Sequence, residues 1–265
     1  MPRRPYLHLP GPWLVAHRGG SLLAAENTLA AFDRAAALGA DAIETDVRRT
    51  ADGVVVTFHD EDTARLTGVP GTIEGRTFAE LQALDPGATF TADGGRTFPL
   101  RGGGLRVPAL ADVLSRYPSM RFVVDAKPDE PALAEALAAV IRAARAEERV
   151  CVGSFHDAQA ERLGALVPEC ARYLPEQAAT CHVMSAKTGA DGAGCPRGYD
   201  LADLPHRIQD LVVVDAPVVA YFHARGLPVH VWTVDDEAAM RELLALGVDG
   251  IVTDRPDVLA RVLGR

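Results

Sequence analysis

The chain has 265 residues, of which 48% are hydrophobic and 24% charged, so it can form a full core and is not predominantly disordered. Its formal charge of −9 is opposite in sign to that of a general nucleic-acid binder, so we expect no nucleic-acid partner. No uninterrupted apolar run approaches the ~20 residues of a membrane span, so we expect no stable membrane insertion.

Short β-branched apolar runs alternate along the chain with Ala- and Leu-rich segments of helical spacing. The predicted strands are residues 13–17, 41–47, 121–126, 150–154, 170–174, 211–215, 227–234 and 250–253. Asn27 is predicted to cap the first helix, which ends at Gly39. About eight strand–helix units in a chain of this length predict one α/β domain over residues 1–265, a (β/α)₈ TIM barrel. An open doubly wound sheet is disfavoured because no G-x-G-x-x-G motif follows the first strands.

Two segments interrupt this alternation. Residues 60–107 are rich in Gly, Thr and Asp and lack periodicity, so they are interpreted as a small insertion after the second strand, at the end of the barrel where active sites lie. Residues 188–200 are rich in Gly and are predicted to form a mobile loop.

The cysteines and the N-terminal residues give information about the cellular location of the protein. The four cysteines contain no Cys-x-x-Cys pair, and a chain of this length does not need cross-links, so a disulfide framework is not expected. Arg3 and Arg4 precede no continuous apolar segment, so no signal peptide is predicted. We therefore expect a cytoplasmic protein, whose oligomeric state the sequence does not predict.

The pattern G-x-D-x-I-x-T-D occurs twice, at residues 39–46 and 247–254. Both copies describe the end of a helix followed by a buried strand. They differ at one interior position, which is Glu44 in the first copy and Val252 in the second. A carboxylate at a position where the fold accepts valine needs a charged partner.

Acidic residues gather at the ends of two predicted strands. Glu44 and Asp46 alternate along one strand and so point to the same side, as do Asp125 and Lys127 on another. Three carboxylates at one barrel mouth repel one another unless a hard cation lies between them, and oxygen ligands favour Mg²⁺ or Ca²⁺. For Glu44 and Asp46 alone, salt bridges to Arg48 or Lys127 are an equally good explanation.

Two histidines are placed for proton transfer. Residues 17–20, His-Arg-Gly-Gly, end the first strand, so that His17 and Arg18 could face one anionic ligand. His59 follows a turn that returns the chain toward the mouth. Such a pair suits a general acid and a general base. The other histidines, including His230, are interpreted as structural, and Trp232 either as a core residue or as an apolar wall of the substrate pocket.

Together these residues resemble the glycerophosphodiester phosphodiesterases. The order and spacing of the matching segments agree from about residue 13 to the C-terminus, most weakly between about 175 and 210. The segments are residues 17–19, 26–32, 39–47, 52–53, 59–60, 66–68, 231–234 and 250–256.

The resemblance implies a (β/α)₈ barrel with one divalent metal ion that hydrolyses a small-molecule glycerophosphodiester to sn-glycerol 3-phosphate and an alcohol. It further implies that the glycerol's neighbouring hydroxyl attacks first, which forms a cyclic phosphate. Matched residue by residue, the metal ligands are Glu44, Asp46 and Asp125, the catalytic pair is His17 and His59, and the phosphate-binding cations are Arg18 and Lys127. The family usually has Glu where this chain has Asp125, and the shorter side chain bears on the metal distance.

Two alternatives remain. The same chemistry on a lysophospholipid requires an apolar groove, which residues 60–107 could line, although Phe78, Phe90 and Phe98 are their only large aromatic residues. A non-catalytic barrel that binds a phosphorylated ligand is disfavoured, because a mere binder has no use for an acid–base pair.

Overall fold

Strands and helices alternate through residues 4–265, which are the residues that the computed structural model describes. Arg3, one of the residues considered for a signal peptide, lies outside them. The strands are β1 (Trp13–His17), β2 (Ala42–Arg49), β3 (Val55–Thr57), β4 (Arg121–Ala126), β5 (Val150–Gly153), β6 (Ala171–Arg172), β7 (Ala202–Pro205), β8 (Arg207–Ile208), β9 (Leu211–Val212), β10 (Val229–Trp232) and β11 (Gly250–Thr253). The helices are α1 (Leu29–Ala37), α2 (Ala64–Thr67), α3 (Phe78–Gln82), α4 (Leu110–Arg116), α5 (Pro131–Ala143), α6 (Asp157–Leu166), α7 (Glu176–Thr188), α8 (Ala216–His223), α9 (Glu237–Leu246) and α10 (Pro256–Val262).

The parallel strands of the described chain form a barrel. Their order is β1, β2, β4, β5, β6, β7, β10 and β11, and β11 pairs again with β1. A parallel bridge between Tyr173 and Leu201 joins the chain next to β6 to the chain next to β7 and completes the circle. The predicted (β/α)₈ barrel is therefore confirmed.

The lower part of the barrel interior is mainly apolar. Trp13 and Val15 on β1, Val123 on β4 and Cys151 on β5 are buried together, and Tyr6 from a 3₁₀ turn (Pro5–Leu7) packs beneath them. Because side chains alternate along a strand, the next inward positions toward the C-terminal end belong to the polar residues of the mouth.

The prediction of a barrel strand at residues 211–215 is wrong. The sixth barrel strand is β7, and Leu211–Val212 instead pairs antiparallel with Arg207–Ile208 in a short hairpin. The β-branched run after residue 211 has the stronger strand propensity, whereas β7 contains Asp203 and Pro205, which are rare in strands. Pairing with β10 overrides this local preference.

Residues between β3 and α4 fold around a small core of their own. Phe58, Leu66, Ile73 and Leu81 pack together in it, and the segment carries the short helices α2 and α3. β3 itself runs antiparallel to β2 and turns the chain back along the barrel wall.

A disulfide joins Cys181 of α7 to Cys195 in the loop that follows, contrary to the expectation from the sequence. The two Cα atoms are 5.6 Å apart, within the usual range for a disulfide. The loop folds back onto α7 and so brings Cys195 next to Cys181. The spacing of these two cysteines matches no known motif, so the sequence did not predict the disulfide. Cys151 and Cys170 are buried free thiols.

We expect the Cys181→Ser/Cys195→Ser variant to lose about 3 kcal/mol of unfolding free energy, because the disulfide restricts the unfolded chain over a loop of this length. Urea unfolding without reductant measures the loss. Reductant should destabilise the parent by a similar amount and leave the double variant unchanged; a parent indifferent to reductant would contradict the expected contribution.

Candidate active site

Inward positions at the C-terminal ends of three strands carry a histidine and three carboxylates. In the register of the sheet, His17 on β1 lies beside Glu44 on β2, and Asp46 on β2 lies beside Asp125 on β4. All four side chains therefore occupy the upper interior of the barrel, above the apolar layer. The structure brings these predicted residues to one mouth.

A carboxylate holds the ring of His17. Nδ1 lies 2.7 Å from Asp254 Oδ1, and Nε2 lies 3.9 Å from Glu44 Oε2. Burial lowers the pKa of His17, but the hydrogen bond with Asp254 and the nearby charge of Glu44 outweigh burial, so the pKa lies above its ordinary value. With Nδ1 engaged, Nε2 is the nitrogen for proton transfer.

A carboxylate also orients the ring of His59. Its Nδ1 lies 2.7 Å from Asp60 Oδ1. Arg48, one of the two salt-bridge partners considered for the strand carboxylates, instead donates from Nε to the His59 carbonyl oxygen at 2.9 Å and pairs with Glu74. Each predicted catalytic histidine thus has a carboxylate on Nδ1.

Two cations reach the strand carboxylates. Lys127 Nζ lies 2.8 Å from Asp46 Oδ1 and 2.6 Å from Asp125 Oδ2. Arg18 Nε lies 3.2 Å from Asp46 Oδ2. Burial raises the pKa of Asp46, but Lys127 and Arg18 outweigh burial and hold the pKa well below its ordinary value. The salt-bridge alternative is therefore realised for Asp46 with Lys127.

Glu44 has much weaker compensation. It is buried and accepts a hydrogen bond from the backbone N–H of Arg18 at 3.2 Å. Burial and repulsion by Asp46 raise the pKa of Glu44 to about 7, although His17, Lys127 and Arg18 oppose them. Glu44 is thus the carboxylate whose charge the surrounding residues balance least.

Neutral side chains complete the hydrogen bonding of the other carboxylates. Asn27 Nδ2 donates to Asp46 Oδ2 at 2.9 Å, and the buried Tyr173 hydroxyl donates to Asp125 Oδ1 at 2.8 Å. The prediction that Asn27 caps α1 is wrong. The cap is Thr28, whose hydroxyl accepts from the Ala31 N–H, and Asn27 turns toward the site from a positive φ of 55°.

The donor set suits a hard divalent cation by its chemistry. Glu44, Asp46 and Asp125 are buried and supply only carboxylate oxygens, the ligands that Mg²⁺ and Ca²⁺ prefer. Among residues 4–265, however, no three His, Cys, Asp or Glu side chains form a ready-made metal site. The Lys127 ammonium group lies between Asp46 and Asp125 and balances part of the charge that such a cation would balance.

Aromatic side chains form one wall of the mouth. Trp232, at the end of β10, packs edge-to-face on Phe155 with 5.6 Å between ring centroids. Lys127 Nζ lies 5.6 Å from the Phe155 centroid. His230, one pleat deeper on β10, is buried against Trp13, and burial lowers the pKa of His230 to about 4.

Several residues of the site were not predicted from the sequence: Glu26, Asn27, Asp60, Arg65, Phe155, Tyr173 and Asp254. Glu26, Asp60 and Asp254 lie inside segments that carry the family resemblance, and this position is the signal that could have found them. Tyr173 follows a strand of two residues and carried no such signal.

The chain is similar to known proteins in sequence and in fold. The sequence profile of the glycerophosphoryl diester phosphodiesterase family matches residues 17–258. A Mycobacterium tuberculosis protein named "Probable glycerophosphodiester phosphodiesterase 2" is 33% identical over 262 residues, which cover 97% of this chain and 93% of that protein. The glycerophosphoryl diester phosphodiesterase domain of an uncharacterized M. tuberculosis protein shares the fold, with a TM-score of 0.84 at 23% identity, over 94% of this chain and 98% of that one. An Oleispira antarctica phosphodiesterase in complex with the product sn-glycerol-3-phosphate has a TM-score of 0.71 at 25% identity, over 96% of this chain and 97% of that one.

The chain belongs to the glycerophosphoryl diester phosphodiesterase family. The family prediction made from the motifs is confirmed, and the protein is an enzyme, a phosphoric diester hydrolase. The matched span begins at His17 and contains Asp254, so it includes both residues of the hydrogen bond that crosses from β1 to the end of β11.

In metal-free protein, the stability cost of Glu44 should depend on pH. Its folded pKa of about 7 exceeds the ordinary value of 4.5, so the folded state binds the proton more tightly and loses stability as pH rises between these values. Glu44→Gln should therefore gain stability relative to the parent at about pH 8 and much less at about pH 5.

Urea unfolding in chelator at both pH values measures this difference. Glu135→Gln, which changes an exposed carboxylate on α5, is the matched control and should follow the parent. An equal pH dependence in the parent and Glu44→Gln would show that Glu44 is ionised without cost.

Proposed function

We propose that the protein hydrolyses glycerophosphodiesters to sn-glycerol 3-phosphate and an alcohol with the help of one divalent ion, Mg²⁺ or Ca²⁺. The observation that carries the proposal is the pair of histidines, each with a carboxylate on Nδ1, that shares a mouth with Arg18 and Lys127. The product bound by the Oleispira antarctica relative supports the identity of the product.

In this proposal, Arg18 and Lys127 bind the non-bridging oxygens of the phosphate and offset the negative charge that develops there. One histidine removes a proton from the attacking oxygen, and the other protonates the leaving alkoxide as its bond to phosphorus breaks. The attacking oxygen is the glycerol's own neighbouring hydroxyl, and water then opens the cyclic phosphate with the histidines in reversed roles.

Glu44, Asp46 and Asp125 are the residues that would hold the divalent ion, which when bound supplies electrostatic stabilisation to the phosphate. Their support for this role is chemical: they provide three buried carboxylates, and the charge of Glu44 is poorly balanced by the protein alone. Tyr173 and Asn27 hold Asp125 and Asp46 in fixed orientations through hydrogen bonds.

A small head group fits the site better than an acyl chain. Phe78 packs against the insertion's own core, and the Phe98 ring is covered by the Arg101 guanidinium at 4.1 Å. Two of the aromatic residues that could line an acyl groove are therefore engaged elsewhere. This arrangement favours glycerophosphodiesters over lysophospholipids.

The cellular location is still a prediction. None of the helices among residues 4–265 has the length and apolar character to cross a membrane. The Cys181–Cys195 disulfide counts against a cytoplasmic location, since disulfides persist mainly in oxidising compartments.

His17→Ala and His59→Ala should each lower kcat toward a glycerophosphodiester by at least ~10²-fold, because each removes a proton-transfer group. The double variant should lose far less than the product of the two, since the pair acts as a unit. Steady-state kinetics with glycerophosphocholine measures both effects. A single variant with near-normal kcat would show that its histidine is neither acid nor base.

Activity should disappear after exhaustive chelation and return with Mg²⁺ or Ca²⁺. The same ions should raise the melting temperature of the chelated parent, because a ligand at ~100 times its Kd adds about 2.7 kcal/mol of stability. Asp46→Asn, which removes one proposed ligand charge, should lose most of this thermal shift, whereas Glu135→Gln should retain it. Full turnover without metal, or an equal shift in Asp46→Asn, would contradict the assignment.

A further inference from the structure

A continuous series of ion pairs connects His59 to Arg18 across the mouth. Asp60 Oδ1 lies 2.7 Å from His59 Nδ1, and the other oxygen, Oδ2, accepts from Arg65 Nε. Arg65 also donates from Nη1 and Nη2 to the two oxygens of Glu26, at 2.9 and 2.7 Å. Glu26 Oε1 in turn accepts from Arg18 Nη1 at 2.9 Å.

Arg65 occupies the centre of this series. Its guanidinium donates from Nε and Nη2 to the two oxygens of Asp60 and from Nη1 and Nη2 to the two oxygens of Glu26, a geometry that a planar fork of N–H groups provides. The residue lies on α2, within the insertion, whereas Glu26 lies on the loop after β1. Arg65 is therefore a cation of the insertion that binds a carboxylate at the rim of the barrel.

Both carboxylates in the series depend on Arg65 for their orientation. Glu26 is only 8% exposed, and although burial raises its pKa, its contacts with Arg65 and Arg18 outweigh burial and hold the pKa below the ordinary value. Asp60 Oδ1 contacts His59 Nδ1 and also accepts from Arg65 Nη2 at 3.2 Å, whereas Oδ2 accepts from Arg65 Nε. Without Arg65, Asp60 loses the contact that fixes its rotation, and Arg18 becomes the only guanidinium on Glu26.

We propose that Arg65 is a positioning residue of the reaction, which sets the orientation of His59 through Asp60 and that of Arg18 through Glu26. The inference rests on the proposed function, in which His59 transfers a proton and Arg18 binds the phosphate. Arg65 itself is placed away from the reacting atoms. Because catalysis is sensitive to displacements of about 1 Å, the loss of one distant cation should affect both steps.

The first test compares Arg65→Gln, Arg65→Lys and the parent by steady-state kinetics with glycerophosphocholine. Arg65→Gln should lower kcat by about 10- to 100-fold and raise KM several-fold, because both His59 and Arg18 are released. Arg65→Lys should be intermediate, since an ammonium keeps the charge but cannot bridge two carboxylates as a fork. The melting temperature of each variant verifies that it is folded.

Arg101→Gln is the matched control. It removes the same charge from the same insertion, but the Arg101 guanidinium donates to the Ala88 carbonyl oxygen and lies over Phe98. Its kcat and KM should equal those of the parent. If Arg65→Gln lowers only the melting temperature and leaves kcat and KM at parent values, Arg65 is merely structural and the proposal is wrong.

A pair of double-variant cycles separates the two branches of the series. Asp60→Asn should lower mainly kcat, and Glu26→Gln should raise mainly KM. Adding Arg65→Gln to Asp60→Asn should cause little further loss of kcat, because both changes act on His59. Adding Arg65→Gln to Glu26→Gln should cause little further rise of KM, because both changes act on Arg18. Effects that multiply independently in both backgrounds would overturn the proposal.

The activity of the parent distinguishes a failure of the proposed function from a failure of the role assigned to Arg65. A parent that hydrolyses no glycerophosphodiester with any metal overturns the proposed function and, with it, the role of Arg65. A parent that is active while Arg65→Gln is equally active overturns the role of Arg65 alone.

Discussion

The burial of three carboxylates in one layer of the barrel is the constraint on which the rest of the site depends. Burying negative charge is costly unless each group has a partner, and the three are compensated unequally. Asp46 receives Lys127 and Arg18, Asp125 receives Lys127 and Tyr173, and Glu44 receives mainly a backbone amide. Val252, the matching residue in the second copy of the G-x-D-x-I-x-T-D pattern, lies one pleat deeper beside Val15, whereas Glu44 lies beside His17 at the mouth. Because the protein alone balances its charge poorly, Glu44 is better explained by chemistry than by folding.

The charge of the side chains inside the barrel differs between its upper and lower layers. Below the mouth, the buried His230 on β10 lies beside the partly buried Asp203 on β7. Burial raises the pKa of Asp203 well above its ordinary value and lowers the pKa of His230 to about 4, so both shifts favour the uncharged form of the side chain. The cations Lys127 and Arg18 lie in the upper layer, where they balance the charge of Asp46.

Much of this could be predicted from strand periodicity and short motifs, and the remainder could not for identifiable physical reasons. Glu44, Asp46 and Asp125 were found because alternation along a strand fixes which side chains share a face. The sixth barrel strand, β7, was misplaced because Asp203 and Pro205 are rare in strands, so that its local sequence does not indicate a strand and pairing with β10 stabilises it. The carboxylates that contact the two histidines are near them for different reasons. Asp60 is the residue after His59, whereas Asp254 is 237 residues from His17 and reaches it because β1 pairs with β11. The disulfide and the ion pairs of Arg65 likewise depend on the path that the loops take in three dimensions, which a local sequence pattern does not predict.

The two histidines therefore depend on different parts of the fold. His17 is held by Asp254, which follows β11, so its orientation requires that the barrel close between its first and last strands. His59 is held by Asp60 at the start of the insertion, whose core of Phe58, Leu66, Ile73 and Leu81 fixes that segment against the barrel. An insertion that only covered the mouth would not need such a core. In the proposed mechanism, His59 immediately precedes the insertion and is one half of the acid–base pair, so the packing of the insertion must hold His59 as firmly as the barrel holds His17.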